Sequence, residues 1–265
     1  MRYLVIVSWL FIAFSCKKNS ENLLERNLSE SIQWISSDLN TLVFSQSLVD
    51  KFCTQEFYDQ ADCFDVESDT VSDVVTHTIH FQKDNFCDFY SDSTDGTIQV
   101  RFAINYGDIL DTVTVKYIDF KSNGHVFNGE LKAIYLSNVN FTTSVQKIIL
   151  SNLAVAHKGT TYYLNGEFSS FLAQQKFKTS GFLMSSLFGE AVQLQIVNSL
   201  EHEGNYSWTQ PYHTPFFLGG VANIFVGTQK FETHYGVNSS SYLDYSKAVC
   251  IDSTGYRYIL EMNKW

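Results

Sequence analysis

TIQVRFAINY, residues 97–106, decides the fold class. Ile98, Val100, Phe102, Ile104 and Tyr106 take every second position, with polar or small residues between them. A period of two puts all five side chains on one face of an extended chain, as a strand buried on one side requires. The alternation returns at Val192, Leu194 and Ile196, interleaved with glutamines, and at Tyr256, Tyr258, Leu260 and Met262. Asp95–Gly96, Asn123–Gly124, Asn128–Gly129, Asn165–Gly166 and Gly219–Gly220 punctuate these runs. Such pairs reach positive φ at little cost and read as hairpin turns. Residues 76–265 are therefore expected to form a mainly β domain, an extended antiparallel sheet or a β-sandwich with hairpin repeats.

Upstream the period changes. Leu24, Leu28, Ile32, Ile35, Leu39 and Leu42 recur at intervals of three and four, the stripe of an amphipathic helix. The expected helix occupies residues 23–52, packs its stripe on the sheet and turns Ser, Glu and Asp outward. Residues 54–73 are polar and acidic and read as a connection. A faint repeat links VFNGEL (Val126–Leu131) to YLNGEF (Tyr163–Phe168), with Lys121 and Lys158 at the same offset. Two copies indicate similar hairpins, each with an Asn–Gly turn or bend before a fresh strand.

The first eighteen residues, MRYLVIVSWLFIAFSCKK, carry a different signal. Arg2 is followed by an apolar run from Tyr3 to Phe14, then Ala13, Ser15 and Cys16. This is the layout of an export signal, and the run is shorter than the about 20 residues a membrane-spanning helix needs. A cysteine directly behind it looks like a bacterial lipobox. On this reading residues 1–15 are a lipoprotein signal peptide, Cys16 is the lipidation site, and 16–22 form the anchor and tether. Removing residues 1–15, which include Arg2, leaves 250 of the 265 residues and moves the net charge from −10 to −11.

That acidic balance excludes nucleic acid as a partner and leaves the lipid anchor as the route to a membrane. Charged residues make up 17% against about a quarter in ordinary domains, and aromatics reach 15%, which suits packed strands. Setting Cys16 aside, Cys53, Cys63, Cys87 and Cys250 are candidates for two disulfides, with three connectivities open. No CxxC spacing supports zinc, and nothing in the sequence calls for a cofactor.

Several motifs together resemble an uncharacterised β-rich lipoprotein family of the Bacteroidota. They are the FSCKK start, the Ser-rich helix, Cys63 opening the β region, THTIHF, CDFYSDSTDGTIQVRF, the two NGE strands, and GGVANIFVGTQKFETHYG with YRYILEM at the end. The resemblance implies a surface-facing or periplasm-facing lipoprotein built of repeated strand cassettes. Where relatives show IDFG, this chain has IHFQ at Ile79–Gln82 and THYG at Thr233–Gly236, so no functional residue is carried over.

Two strong catalytic motifs are missing: there is no GxSxG and no HExxH. His77 and His80 stand three apart in an expected strand and should face opposite sides. The acidic groups Asp65, Glu67, Asp69, Asp73 and Asp88, Asp92, Asp95 do not fit a calcium loop. Glu201 and Glu203 flank His202 and supply the acid pair that a glycosidase reading would need. The strongest binding candidate is the loop 205–217, where Tyr206, Trp208, Tyr212, Phe216 and Phe217 could stack on sugar rings. Four Asp-Ser/Thr pairs, at Asp69, Asp92, Asp111 and Asp252, resemble an O-glycosylation acceptor. The expected role is binding or structure at the cell envelope, with a glycan or an envelope protein as partner. The alternatives are a glycan-active hydrolase and a carrier that holds a hydrophobic ligand in an aromatic-lined sheet.

Overall fold

The computed structural model describes residues 25–43, 45, 64–81, 95–103, 112–122, 124–135, 145–173, 176–203, 217–236, 238–239, 242–243 and 247–261. Helix α1 covers 25–43. The strands begin with β1 (Phe64–Val71), β2 (Val74–Phe81), β3 (Asp95–Ala103), β4 (Thr112–Ser122) and β5 (His125–Tyr135). Next come β6 (Val145–His157), β7 (Thr160–Ala173), β8 (Lys176–Leu187), β9 (Glu190–Glu203) and β10 (Gly219–Val226). The chain finishes with β11 (Gln229–Tyr235), the short pair β12 (Asn238–Ser239) and β13 (Tyr242–Leu243), then β14 (Lys247–Asp252) and β15 (Arg257–Glu261). Thirteen strands form one antiparallel meander in which each strand pairs with its neighbour in sequence, and β12–β13 stand apart. The extended sheet, with its single N-terminal helix, is thus the architecture adopted, and it is not a sandwich.

The sheet curls around the helix. Tyr117 of β4 hydrogen-bonds Ser45, a helical residue two past Val43, and Tyr235 of β11 donates to Ser36 at 3.2 Å. β4 and β11 lie seven strands apart, about 34 Å on a flat sheet at about 4.8 Å per strand. A helix only about 10–12 Å wide reaches both only if the sheet wraps it. Burial agrees: Ser31, Ile32, Trp34, Ile35, Ser36, Ser37, Asp38, Leu39, Asn40, Thr41, Leu42 and Val43 are all buried. The expected outward polar face of α1 is therefore corrected. Ser36, Asp38 and Ser45 meet inward-facing tyrosines and a histidine instead of water. Only the first turns, at Glu25, Arg26 and Ser29, are exposed.

The curl has a local cause in β-bulges. Inward residues of β4 run Val113, Val115, Tyr117 and then Phe120, Ser122, so the parity changes across Ile118–Asp119. In β6 they run Ile148, Leu150 and then Leu153, Val155, changing across Ser151–Asn152. Asp119 (φ 47°) and Asn152 (φ 55°) take the left-handed conformation there. The next strand clamps each one: the Asp119 amide donates to Asn128 Oδ1 and the Asn152 amide to Asn165 Oδ1, both at 2.9 Å. Asn128 and Asn165 are the repeated asparagines of the NGE motif. Asn128–Gly129, Asn165–Gly166 and Gly219–Gly220 were expected as turns, but they lie within β5, β7 and β10. The Asn side chain closes a bulge across the ladder, and bulges bend and twist a sheet.

Hairpin turns use other residues. Ser72–Asp73, Lys158–Gly159 and Phe188–Gly189 all have positive φ at both positions, as a type I′ turn demands. Gly124 (φ 72°) lies in the turn between β4 and β5, and Asn123 of the expected turn lies outside the described residues. Residues 64–71, assigned to the acidic connection, form β1, which pairs with β2 from Phe64↔Phe81 to Val71↔Val74. Its period was illegible because an edge strand buries little, and Asp65, Glu67, Ser68, Asp69 and Thr70 are exposed. Charges of this kind discourage edge-to-edge pairing.

Gly181 in β8 (φ 134°) has no room for a side chain: a Cβ would meet Glu167 O at 2.3 Å. Gly181→Ala should cost about 2–4 kcal/mol, read as a fall in the urea midpoint. Gly159→Ala has open space around it and should cost about 1 kcal/mol from its positive φ alone. Equal losses would show that backbone approach at the bulge row does not limit the sheet.

Candidate functional site

Where α1 meets the middle strands, a buried polar cluster forms. His125 Nδ1 donates to Asp38 Oδ1 at 2.7 Å and lies 3.1 Å from the Tyr162 hydroxyl, which itself donates to Asp38 Oδ2 at 2.8 Å. The His125 and His157 rings stack at 3.9 Å, and Trp34 meets His157 edge-on at 4.7 Å. Phe188, in its positive-φ turn, lies 4.9 Å from Trp34 and covers it from outside. His157 Nδ1 is 2.9 Å from the Gly124 carbonyl. Burial, with the neighbouring His125 next, pushes the His157 imidazole down to about 4. Burial and the adjacent Asp38 charge raise the Tyr162 phenol, so it stays a donor. The cluster is closed to solvent and fixes how α1 sits. Its geometry is that of a structural network.

An open site lies at the other end of α1. The first turns of the helix and the strands β11, β14 and β15 frame a cleft of about 380 Å³. Glu25, Leu28, Ser29 and Ile32 form one wall, and Phe231, Asp252, Thr254, Tyr256, Tyr258 and Leu260 form the other. The apolar floor continues the core, because Ile32, Phe231 and Leu260 are buried. The rim is polar and aromatic. Tyr256 and Tyr258 pack edge to face at 4.8 Å and 68°, and Tyr258 meets Phe231 at 6.4 Å and 70°.

The turn after β14 organises that rim. Asp252 Oδ1 accepts from the Thr254 hydroxyl at 2.7 Å, the Thr254 amide at 2.8 Å and the Tyr256 amide at 2.9 Å. These bonds, the Thr254 side chain's first, hold the Asp252 carboxyl below the usual carboxylate range. Asp252 is therefore a fixed negative charge. Burial and then the Asp252 charge raise the Tyr258 phenol, whose hydroxyl lies 3.5 Å from Asp252 Oδ2.

Most residues proposed from the sequence lie elsewhere. Phe217 is not a stacking platform: it is buried against Tyr235 at 5.2 Å and belongs to the core. Tyr206, Trp208, Tyr212 and Phe216 lie outside the described residues, as do Cys16, Cys53, Cys63 and Cys87. Cys250 takes no part in a disulfide. It is a buried free thiol that accepts a 3.4 Å hydrogen bond from Thr233, and burial pushes it up to about 11. Glu201 faces Lys178 at 3.2 Å and Lys176 at 3.4 Å, and these lysines hold its carboxyl below the usual range. His77 is buried and His80 half-buried, on opposite faces of β2. Among the described sequence candidates only Asp252, there considered as a glycosylation acceptor, lines the cleft.

Nothing in the sequence singled out the cleft. The Tyr256–Tyr258 alternation was the only available signal, and it read as an ordinary strand. Comparison with protein-family models, curated proteins and solved structures returns no match.

The depressed His157 value has a sign. Unfolded, the imidazole titrates near 6.5; folded, near 4. Its contribution is complete above pH 6.5 and is lost as the pH falls toward 4, because the unfolded chain binds the proton first. Stability should drop by up to about 3 kcal/mol over that window, and in His157→Phe the slope there should flatten. An unchanged slope in urea unfolding would clear His157 of this role. Tyr162→Phe removes one donor from a buried carboxylate and should cost about 2–3 kcal/mol at neutral pH by the same measurement.

Proposed function

We propose that this chain is a lipid-anchored cell-envelope protein with a binding role, tethered through Cys16 and presenting the cleft to a ligand. The observation that carries the binding role is how the interior is used. The space inside the curled sheet is filled by α1, whose Ser36, Asp38 and Ser45 are hydrogen-bonded to Tyr235, to Tyr162 and His125, and to Tyr117. A carrier of hydrophobic molecules needs that space for cargo. The cleft, by contrast, is open, aromatic and polar, as ligand sites are.

Binding is also favoured over hydrolysis. A glycosidase needs one carboxyl kept protonated at working pH and a second facing it across the sugar. Glu201 is held ionised by two lysines, and Asp252 by its turn. Asp38 is buried and committed to His125 and Tyr162. The anchor rests on the MRYLVIVSWLFIAFSC leader, and the envelope location on that leader together with the family resemblance.

Cells fed labelled palmitate should label the wild-type chain and leave Cys16→Ala unlabelled and released from the membrane fraction. An unlabelled wild type removes the anchor. The binding role is tested separately with the soluble domain on polymeric envelope glycans. No products should form, and a product lost on Glu201→Gln would replace binding with hydrolysis.

A further inference from the structure

We propose that the cleft binds a small alkylammonium ion, its nitrogen set against the rings of Tyr256 and Tyr258 and between the carboxylates of Glu25 and Asp252. This rests on reading the cleft as the binding site and names the chemistry of its ligand.

Charge is the first reason. Glu25 and Asp252 line the cleft, and no lysine or arginine stands among its described lining residues. The nearby Arg26 is engaged with Glu30 at 3.1 Å, four residues on, and does not neutralise Glu25. Two uncompensated carboxylates beside an apolar floor favour a cation over a neutral or anionic guest.

Ring geometry is the second. Tyr256 and Tyr258 meet at 68° with centroids 4.8 Å apart, so the two rings form a corner rather than one flat platform. The negative face of an aromatic ring attracts an organic cation within about 6 Å, and the exposed Tyr256 ring, held edge to face against Tyr258, offers one at the cleft mouth. A sugar instead stacks one broad face on one ring. Tyr256 is 62% exposed, so its ring is free to close on a guest.

The hydrogen-bond inventory is the third. A sugar needs donors as well as acceptors around it. The Thr254 hydroxyl proton is committed to Asp252, and the Tyr258 hydroxyl points the same way. The Ser29 and Tyr256 hydroxyls remain as donors, so the rim's preference for a cation rests on its two carboxylates. A volume of about 380 Å³ is near the lower end of the range for ligand sites, roughly 300–1,000 Å³, which suits a small head group.

The test titrates choline chloride into the full-length chain in detergent, read by the fluorine resonances of incorporated 3-fluorotyrosine. Its carbon isostere 3,3-dimethyl-1-butanol, n-butylamine and methyl glucoside are titrated alongside. Choline or butylamine should bind at least tenfold more tightly than the neutral isostere, and raising sodium chloride should weaken binding. The stronger of the two amines tells a quaternary head group from a lysine-like primary amine. Tyr256→Ala and Glu25→Gln, both at exposed positions, should each weaken binding tenfold or more while the circular dichroism spectrum is unchanged. Equal affinity for the isostere, or binding unaffected by Tyr256→Ala, overturns the ammonium assignment. Binding of methyl glucoside with none of choline overturns it too, yet keeps the cleft as a binding site. Silence from all four probes overturns both.

Discussion

A helix buried almost throughout from Ser31 to Val43 must find hydrogen-bond partners for its polar stripe inside the protein, because a buried polar group without one is costly. While Ser37 Oγ and Thr41 Oγ1 have no partner among the described residues, three inward tyrosines, Tyr117, Tyr162 and Tyr235, and one histidine, His125, answer part of that demand, at Ser45, Asp38 and Ser36. They come from β4, β7, β11 and β5, so they also record how far the sheet has turned around the helix. Each bond is directional. Together they set the rotation and height of α1, which apolar contact through Ile32, Ile35, Leu39 and Leu42 alone would leave loosely defined.

Wrapping a meander around a helix requires curvature, and this chain places it in the strands rather than in the turns. Asp119 and Asn152 give the bulges their left-handed residue, Asn128 and Asn165 clamp them, and Gly181 and Gly220 allow close approach of neighbouring backbones. The faint repeat is the trace of this device. It copies a bulged strand together with the strand that holds it. The sheet remains open, with the acidic β1 at one edge and β15 at the other. The cleft lies where the last strands meet the first, exposed turns of α1, so the site is a product of incomplete enclosure.

Much of this was legible. Ile98 and Val100, then Val192, Leu194 and Ile196, are buried as their alternation required, and Ile32, Ile35, Leu39 and Leu42 are buried as the helical stripe required. The misread elements share one cause. Asn–Gly reports only a need for positive φ or a compact side-chain acceptor, and bulges and turns both have that need. β1 was missed because most of its side chains are exposed and polar, which leaves it no apolar period. Phe217 was misassigned because an aromatic residue reads alike on a binding platform and in a core.

By itself the sequence determined the periods, and with them the antiparallel β domain and the helix before it. Backbone geometry converts a spacing of two or of 3.6 directly into a face. Tertiary structure alone decided that the helix has no outward side and that Glu25 and Asp252, from opposite ends of the chain, share a cleft with Tyr256 and Tyr258. Such proximity depends on curvature summed over many strands, and no local run of residues encodes that sum.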